Sequence, residues 1–260
     1  HPSAKAAGGD GKGPKVNAVR VRLPNRVDDG GGEEKDSSSS WRDATCVYVS
    51  RGALDVAVLA VELSPADAER LVPVKLRSSS REDSIDETSP GAPVAVVGHA
   101  RIGPNAVHAG HVDGSPAVYP GVMSTVVRRT NRRTKPAAAT RGSKGAHMYR
   151  STAPPAMYQT TASVHSGASG GAVVCPRHGT FLGLVTSNAR LGTDGSVVPN
   201  LNFSIPASLL EPLFAAADAK KVKDLSLAFE GCLDDDEELR SIWSLRDPAV
   251  GGGAGLVSKL

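Results

Sequence analysis

The feature that most constrains this chain is a recurrence of short Val-rich runs separated by turn-forming residues. They lie at 17–23 (NAVRVRL), 45–50 (TCVYVS), 54–61 (LDVAVLAV), 93–97 (PVAVV), 122–127 (VMSTVV), 171–175 (GAVVC), 180–186 (TFLGLVT) and 201–206 (LNFSIP). β-Branched side chains suit a pleated, half-buried surface, and runs this short cannot hold a long helix, so the pattern predicts an all-β fold. The 28 glycines and 18 prolines supply the turns such a fold needs. Two helices are expected. One begins at Ser64-Pro65, with Ser as N-cap and Pro at the first helical position. The other, at 207–219, spaces Leu209, Leu210, Leu213 and Phe214 for one face, with Pro212 as an irregularity. Residues 24–41, 131–156 and 247–257 read as loops or linkers from their Gly, Ser, Ala and Pro content.

Composition removes several function classes. Aromatic residues make up 4% of the chain, so no platform for stacking bases is visible and single-stranded nucleic-acid binding is disfavoured. The formal net charge is only +3. No apolar run approaches the roughly 18–20 residues that cross a bilayer, so neither nucleic acid nor membrane is an expected partner. Cys46, Cys175 and Cys232 are far apart, which suggests neither a disulfide framework nor a zinc knuckle. Cys46 and Cys175, each inside a Val-rich run, are expected to be small core residues. The basic cluster Arg128, Arg129, Arg132, Arg133 and Lys135 reads as a solvated strand end and loop. The acidic run from Asp234 to Glu238 reads as a helix N-terminus, favoured there by the macrodipole. No metal or cofactor motif is present, and no cofactor is expected.

Two segments carry chemistry. The first is Gly167-Ala168-Ser169-Gly170-Gly171, followed by Ala172-Val173-Val174. A serine among glycines can sit on a tight turn where backbone N–H groups converge, and the amides of Gly167 and Ser169 could then bind the oxyanion of a tetrahedral intermediate. An α/β-hydrolase uses a similar serine elbow but needs an acid and then a histidine downstream. The only histidine after Ser169 is His178, with no acid between them. The order His, Asp, Ser remains, and Asp55, flanked by apolar residues in a presumed strand, is the candidate acid, expected to be buried and to orient an imidazole.

The second segment is the terminus Ser258-Lys259-Leu260, the tripeptide read by the peroxisomal import receptor. It follows a glycine-rich spacer that would keep it accessible, so the peroxisomal matrix is the expected location and the import receptor an expected partner.

Together GASGGAVV, LDVAVLAVE, VVGHARIGP (96–104), LGLVTSNAR (182–190), LNFSIP and the terminal SKL resemble the peroxisomal, in plants glyoxysomal, processing proteases, which are Deg/HtrA-related serine proteases of trypsin fold. The resemblance covers most of residues 44–245. It implies two six-stranded antiparallel β-barrels of trypsin type, the first incomplete. The first would span 1–112 and carry the acid, the second 113–214 and carry the nucleophile, with a helical segment and flexible tail over 215–260. It implies Asp55 as orienting acid, Ser169 as nucleophile, and Gly167 with Ser169 as oxyanion donors. Imported peroxisomal proteins, especially their N-terminal targeting presequences, would be the substrates. Some relatives associate as dimers, so a homodimer is open to this chain.

One departure from the family pattern stands out. The catalytic histidine should precede Asp55, and the only histidine there is His1, followed by Pro2-Ser3. His165, four residues before Ser169, reads as a loop residue. With no initiator methionine, the chain is therefore expected to be an N-terminally truncated fragment lacking its general base. A non-catalytic remnant that binds extended peptides along a strand edge is the alternative. By position, Ser163, Thr186, Ser187 and Asn188 are the expected walls of a substrate pocket. Ser163 stands where a basic-specific pocket would carry Asp, so a small or uncharged side chain is the expected occupant.

Overall fold

The computed structural model describes residues 19–23, 41–76, 88–99, 116–130, 153–164, 167–190, 196–218 and 236–244. Three strands open the order: β1 (Val19–Arg22), β2 (Trp41–Val49) and β3 (Ala57–Val61), followed by the short helix α1 (Pro65–Arg70). Six more follow: β4 (Pro93–Gly98), β5 (Ala117–Arg128), β6 (Pro155–Thr160), β7 (Ala172–Val174), β8 (Phe181–Arg190) and β9 (Val197–Pro206). Helices α2 (Ala207–Asp218) and α3 (Glu237–Trp243) complete the described elements.

The strands divide into two sheets. β1, β2 and β3 form a three-stranded antiparallel sheet, and β4-β5-β6-β9-β8-β7 close into a six-stranded antiparallel barrel. The all-β expectation holds, with one complete barrel and one incomplete sheet. The expected boundary at 112/113 does not: β4 closes the barrel by pairing Ala95–Val97 with Ala172–Val174. The barrel therefore begins some twenty residues earlier, because β4 is buried nearly throughout (Val94, Ala95 and Val96) and needs partners on both edges. The linker expected over 131–156 is corrected at its end, where Pro155 opens β6. That strand has little β-branched character, yet Ala156, Met157, Tyr158 and Thr160 are all buried.

The barrel interior is mostly aliphatic, in keeping with the scarcity of aromatics, with Tyr158 as its one buried aromatic ring among the described residues. Val94, Val96, Met123, Tyr158, Val173, Leu182 and Val185 form one cluster. A second cluster lies under α2, where Leu209, Leu210 and Leu213 pack with Phe181 and Ile205 of the barrel and with Tyr48, Leu54 and Val56 of the N-terminal region. Phe214 meets Phe181 edge to face, with ring centroids 6.0 Å apart. Pro212 is the sixth residue of α2, beyond the amides that lack a partner in the helix, so the helix runs through it with one i→i−4 hydrogen bond fewer.

Capping accounts for both shorter helices. Ser64 caps α1 by accepting from the Asp67 amide, and Pro65 begins the helix, as expected. Asp236 caps α3 by accepting from the Leu239 amide at 3.0 Å, and Glu237 and Glu238 occupy its first turn. Half of the cysteine expectation is corrected: Cys175 is buried, but Cys46 lies on the exposed face of β2. β2 bulges between Cys46 and Tyr48, which changes the side of the sheet that each residue faces.

Candidate active site

Ser169 sits in the turn that enters β7. Gly167 and Gly170 on either side have φ of +98° and +83°, left-handed values that a residue with a Cβ adopts only at a cost. Ala168 between them is 1% exposed and belongs to the barrel cluster, so it pegs the turn to the core. The Gly170 amide donates to the Val185 carbonyl at 2.8 Å and the Gly171 amide to the Ala168 carbonyl at 2.9 Å. The Ser169 hydroxyl is thereby held outward and against β8, where it donates to the Thr186 carbonyl at 2.7 Å. Among the described residues no group accepts from the amides of Gly167 or Ser169. Those are the two donors expected to receive an oxyanion.

Asp55 differs from its expectation. It lies in the segment before β3 rather than inside a strand, and it is exposed, while its neighbours Leu54 and Val56 are buried in the cluster under α2. The burial of those two residues secures the backbone at Asp55 and leaves its carboxylate in solvent. Of the seven histidines, only His99 and His178 fall within the described residues, and both are exposed. The His178 Nδ1 lies 3.6 Å from the Cys175 Sγ. No described histidine bonds Ser169 or Asp55. His1, His108, His111, His147 and His165, like Ser258, Lys259 and Leu260, lie outside the described residues.

Of the expected pocket residues, Thr186 meets Ser169 directly, through its backbone carbonyl. Thr186 is buried and its hydroxyl donates to the Phe203 carbonyl at 3.2 Å, so its carbonyl, not its side chain, faces Ser169. Ser187 is also buried. Asn188 donates to the Val164 carbonyl at 3.3 Å, which joins β8 to the segment leading to the nucleophile. Ser163 is exposed and donates to Asn200 Oδ1 at 2.8 Å. Asn202, 2% exposed, donates to the carbonyls of Thr160 (3.4 Å) and Ala162. Asn200 and Asn202 were absent from the sequence-based site. Their one visible signal is asparagine in strand-like surroundings, where it is disfavoured unless its amide is used.

Residues 17–184 match the model of the trypsin-like peptidase domain. The human peroxisomal leader peptide-processing protease (Homo sapiens) is 42% identical over 95 residues, which are 36% of this chain and 16% of that protein. The mouse protein of the same name (Mus musculus) is 35% identical over 159 residues, 61% of this chain and 22% of that protein. The chain thus spans about a fifth or less of the length of these relatives. Among solved structures, the HtrA-type protease AlgW with a decapeptide superposes with a TM-score of 0.41 at 20% identity, covering 69% of this chain and 41% of that one.

Proposed function

The chain belongs to the family of trypsin-like peptidase domains, and from that premise we propose that it is the peptidase region of a peroxisomal serine endopeptidase. The observation that carries this reading is the Ser169 turn before β7: an outward hydroxyl held against the Thr186 carbonyl of β8, with the Gly167 and Ser169 amides lacking an acceptor among the described residues. Its substrates would be proteins imported into the peroxisome, including their N-terminal targeting presequences, which it would remove. The names of the two mammalian relatives and the terminal Ser258-Lys259-Leu260 support that class and the matrix location.

Catalysis proceeds by acyl transfer. A base takes the Ser169 proton, now shared with the Thr186 carbonyl, and Oγ attacks the scissile carbonyl carbon. Negative charge moves to the carbonyl oxygen, where the Gly167 and Ser169 amides receive it; one such donor is worth about 10²–10³-fold in rate. The protonated base then gives its proton to the leaving amine, and water hydrolyses the acyl-enzyme by the same steps. The base would be a histidine, and Asp55, whose carboxylate is exposed, would close over it and stabilise the imidazolium.

The test is labelling with a fluorophosphonate on the protein as the cell makes it. One serine should be modified, Ser169, and Ser169→Ala should abolish labelling and lower kcat on a presequence peptide by about a million-fold. Retained peptide binding without labelling would instead favour a non-catalytic peptide-binding remnant. Cleavage that survives Ser169→Ala would refute the assignment.

A further inference from the structure

Ala162, Ser163 and Val164, five to seven residues before Ser169, are each held by a different asparagine. Asn202 donates to the Ala162 carbonyl, Asn200 accepts from the Ser163 hydroxyl at 2.8 Å, and Asn188 donates to the Val164 carbonyl at 3.3 Å. All three asparagines come from β8 and β9. Asn188 and Asn202 are paired across those strands, and just beyond them the register breaks: Arg190 next meets Val197, which leaves the residues around Asn200 as a bulge on β9. Asn200 takes a φ of 57° there, the only described residue other than glycine with positive φ. Asparagine tolerates that conformation better than most side chains. The bulge carries its amide out of the sheet and onto Ser163.

The consequence lies beside the nucleophile. The Ser169 hydroxyl donates to the Thr186 carbonyl, and Asn188, two residues further along β8, holds the Val164 carbonyl, so Ser169 and the segment 162–164 meet the same stretch of β8. We propose that the three asparagines form a clasp that fixes Ala162–Val164 as a wall of the substrate cleft, with Asn200 the specificity-determining member through its bond to Ser163. This rests on the peptidase reading above. With the Ser163 hydroxyl committed to Asn200, the wall is polar, uncharged and unable to recede. The cleft therefore takes small uncharged side chains at the residue whose carbonyl is attacked and excludes long ones by loss of space. Asn200 is a positioning residue: it acts through Ser163 and need not touch the substrate.

The test cuts this bond from both ends. Asn200→Gly removes the amide and keeps the left-handed backbone within reach, because glycine has no Cβ. Ser163→Ala removes the donor and leaves Asn200. For the unsubstituted protein, each single variant and the double variant, kcat/KM is measured on peptides differing only in Ala, Ser, Leu or Phe at the residue before the scissile bond. Thermal melting checks folding, and Ser163→Ala serves alone if Asn200→Gly does not fold. Each single variant should raise the Leu-to-Ala ratio of kcat/KM by about tenfold. The double variant should show the same tenfold, because both substitutions remove one interaction. An unchanged ratio, or an equal fall for every peptide, would overturn the clasp while leaving the peptidase intact. Failure of the unsubstituted protein to label at Ser169 or to cleave any peptide would sink the peptidase reading and the clasp with it.

Discussion

Two aspartates show how local sequence misleads about burial. Asp55 stands between Leu54 and Val56 and looks buried, yet it is exposed, because the chain there enters β3 and successive side chains point to opposite sides. Asp67 lies in a polar first turn and looks exposed, yet it is only 8% accessible. Arg42 of β2 donates to it from Nε (3.1 Å) and Nη2 (2.6 Å), Ser64 from its hydroxyl (2.9 Å) and Arg70 from Nη2 (3.2 Å). The hydrogen bonds from Arg42, then those from Ser64, hold the Asp67 carboxyl below the usual aspartate pKa, against the opposing effect of burial. A carboxylate with a lowered folded-state pKa adds stability above its unfolded-state pKa, about 3.9, and that stability fades as pH falls through the lower folded value. Asp67→Asn should therefore lower the urea midpoint at pH 6. The gap between variant and parent should narrow steadily below about pH 4, and a gap independent of pH would refute the assignment.

At the scale of elements, pattern located strands better than it located their partners. Eight of the nine described strands coincide with Val-rich runs, while β6, sequence PAMYQT, has almost no β-branched signal. It becomes a strand because β5 and β9 pair with its two edges and burial covers its side chains. Closing the barrel also demands close backbone approach. A Cβ on Gly183 of β8 would lie 2.5 Å from the Ile205 carbonyl oxygen of β9 and 3.4 Å from the Tyr158 ring. Gly183→Ala should consequently cost about 1–3 kcal/mol by overpacking, read as a lower denaturation midpoint. A variant as stable as the parent would mean that β8 and β9 separate more easily than this packing allows.

At the scale of the molecule, α3 ties distant segments together. Arg129, just past the end of β5, pairs with Asp236 and Glu238, and Thr130 donates to Glu238 from its amide and hydroxyl. Part of the basic cluster thus meets part of the acidic run, so these charges do not merely face solvent. Trp243 donates from Nε1 to the Ala156 carbonyl of β6 at 3.1 Å, and Leu239 is fully buried in the cluster under α2. Leu239→Ala should destabilise the protein by about 2–5 kcal/mol in chemical denaturation. Loss of less than about 1 kcal/mol would mean that α3 docks loosely. Targeting belongs to this scale too. Removing Ser258–Leu260 should leave peptidase activity in a purified sample intact and shift a fluorescently tagged protein from peroxisomes to the cytosol. Unchanged peroxisomal signal would show that another signal directs import.

Read alone, the sequence determined what depends on near neighbours: the strand runs, the Ser64-Pro65 and Asp236 helix starts, and the glycines that let Ser169 sit on a tight turn. Spacing along the chain encodes each of these, because backbone φ preferences, capping and side-chain alternation act over a few residues. Tertiary structure decided what depends on residues far apart in the chain: that β4 closes the second barrel, that β6 is a strand, that Asp67 is buried and Asp55 is not. It also decided that Asn188, Asn200 and Asn202 converge on Ala162–Val164, since hydrogen bonds spanning 24 to 40 residues leave no local trace and form only once β8 and β9 are paired.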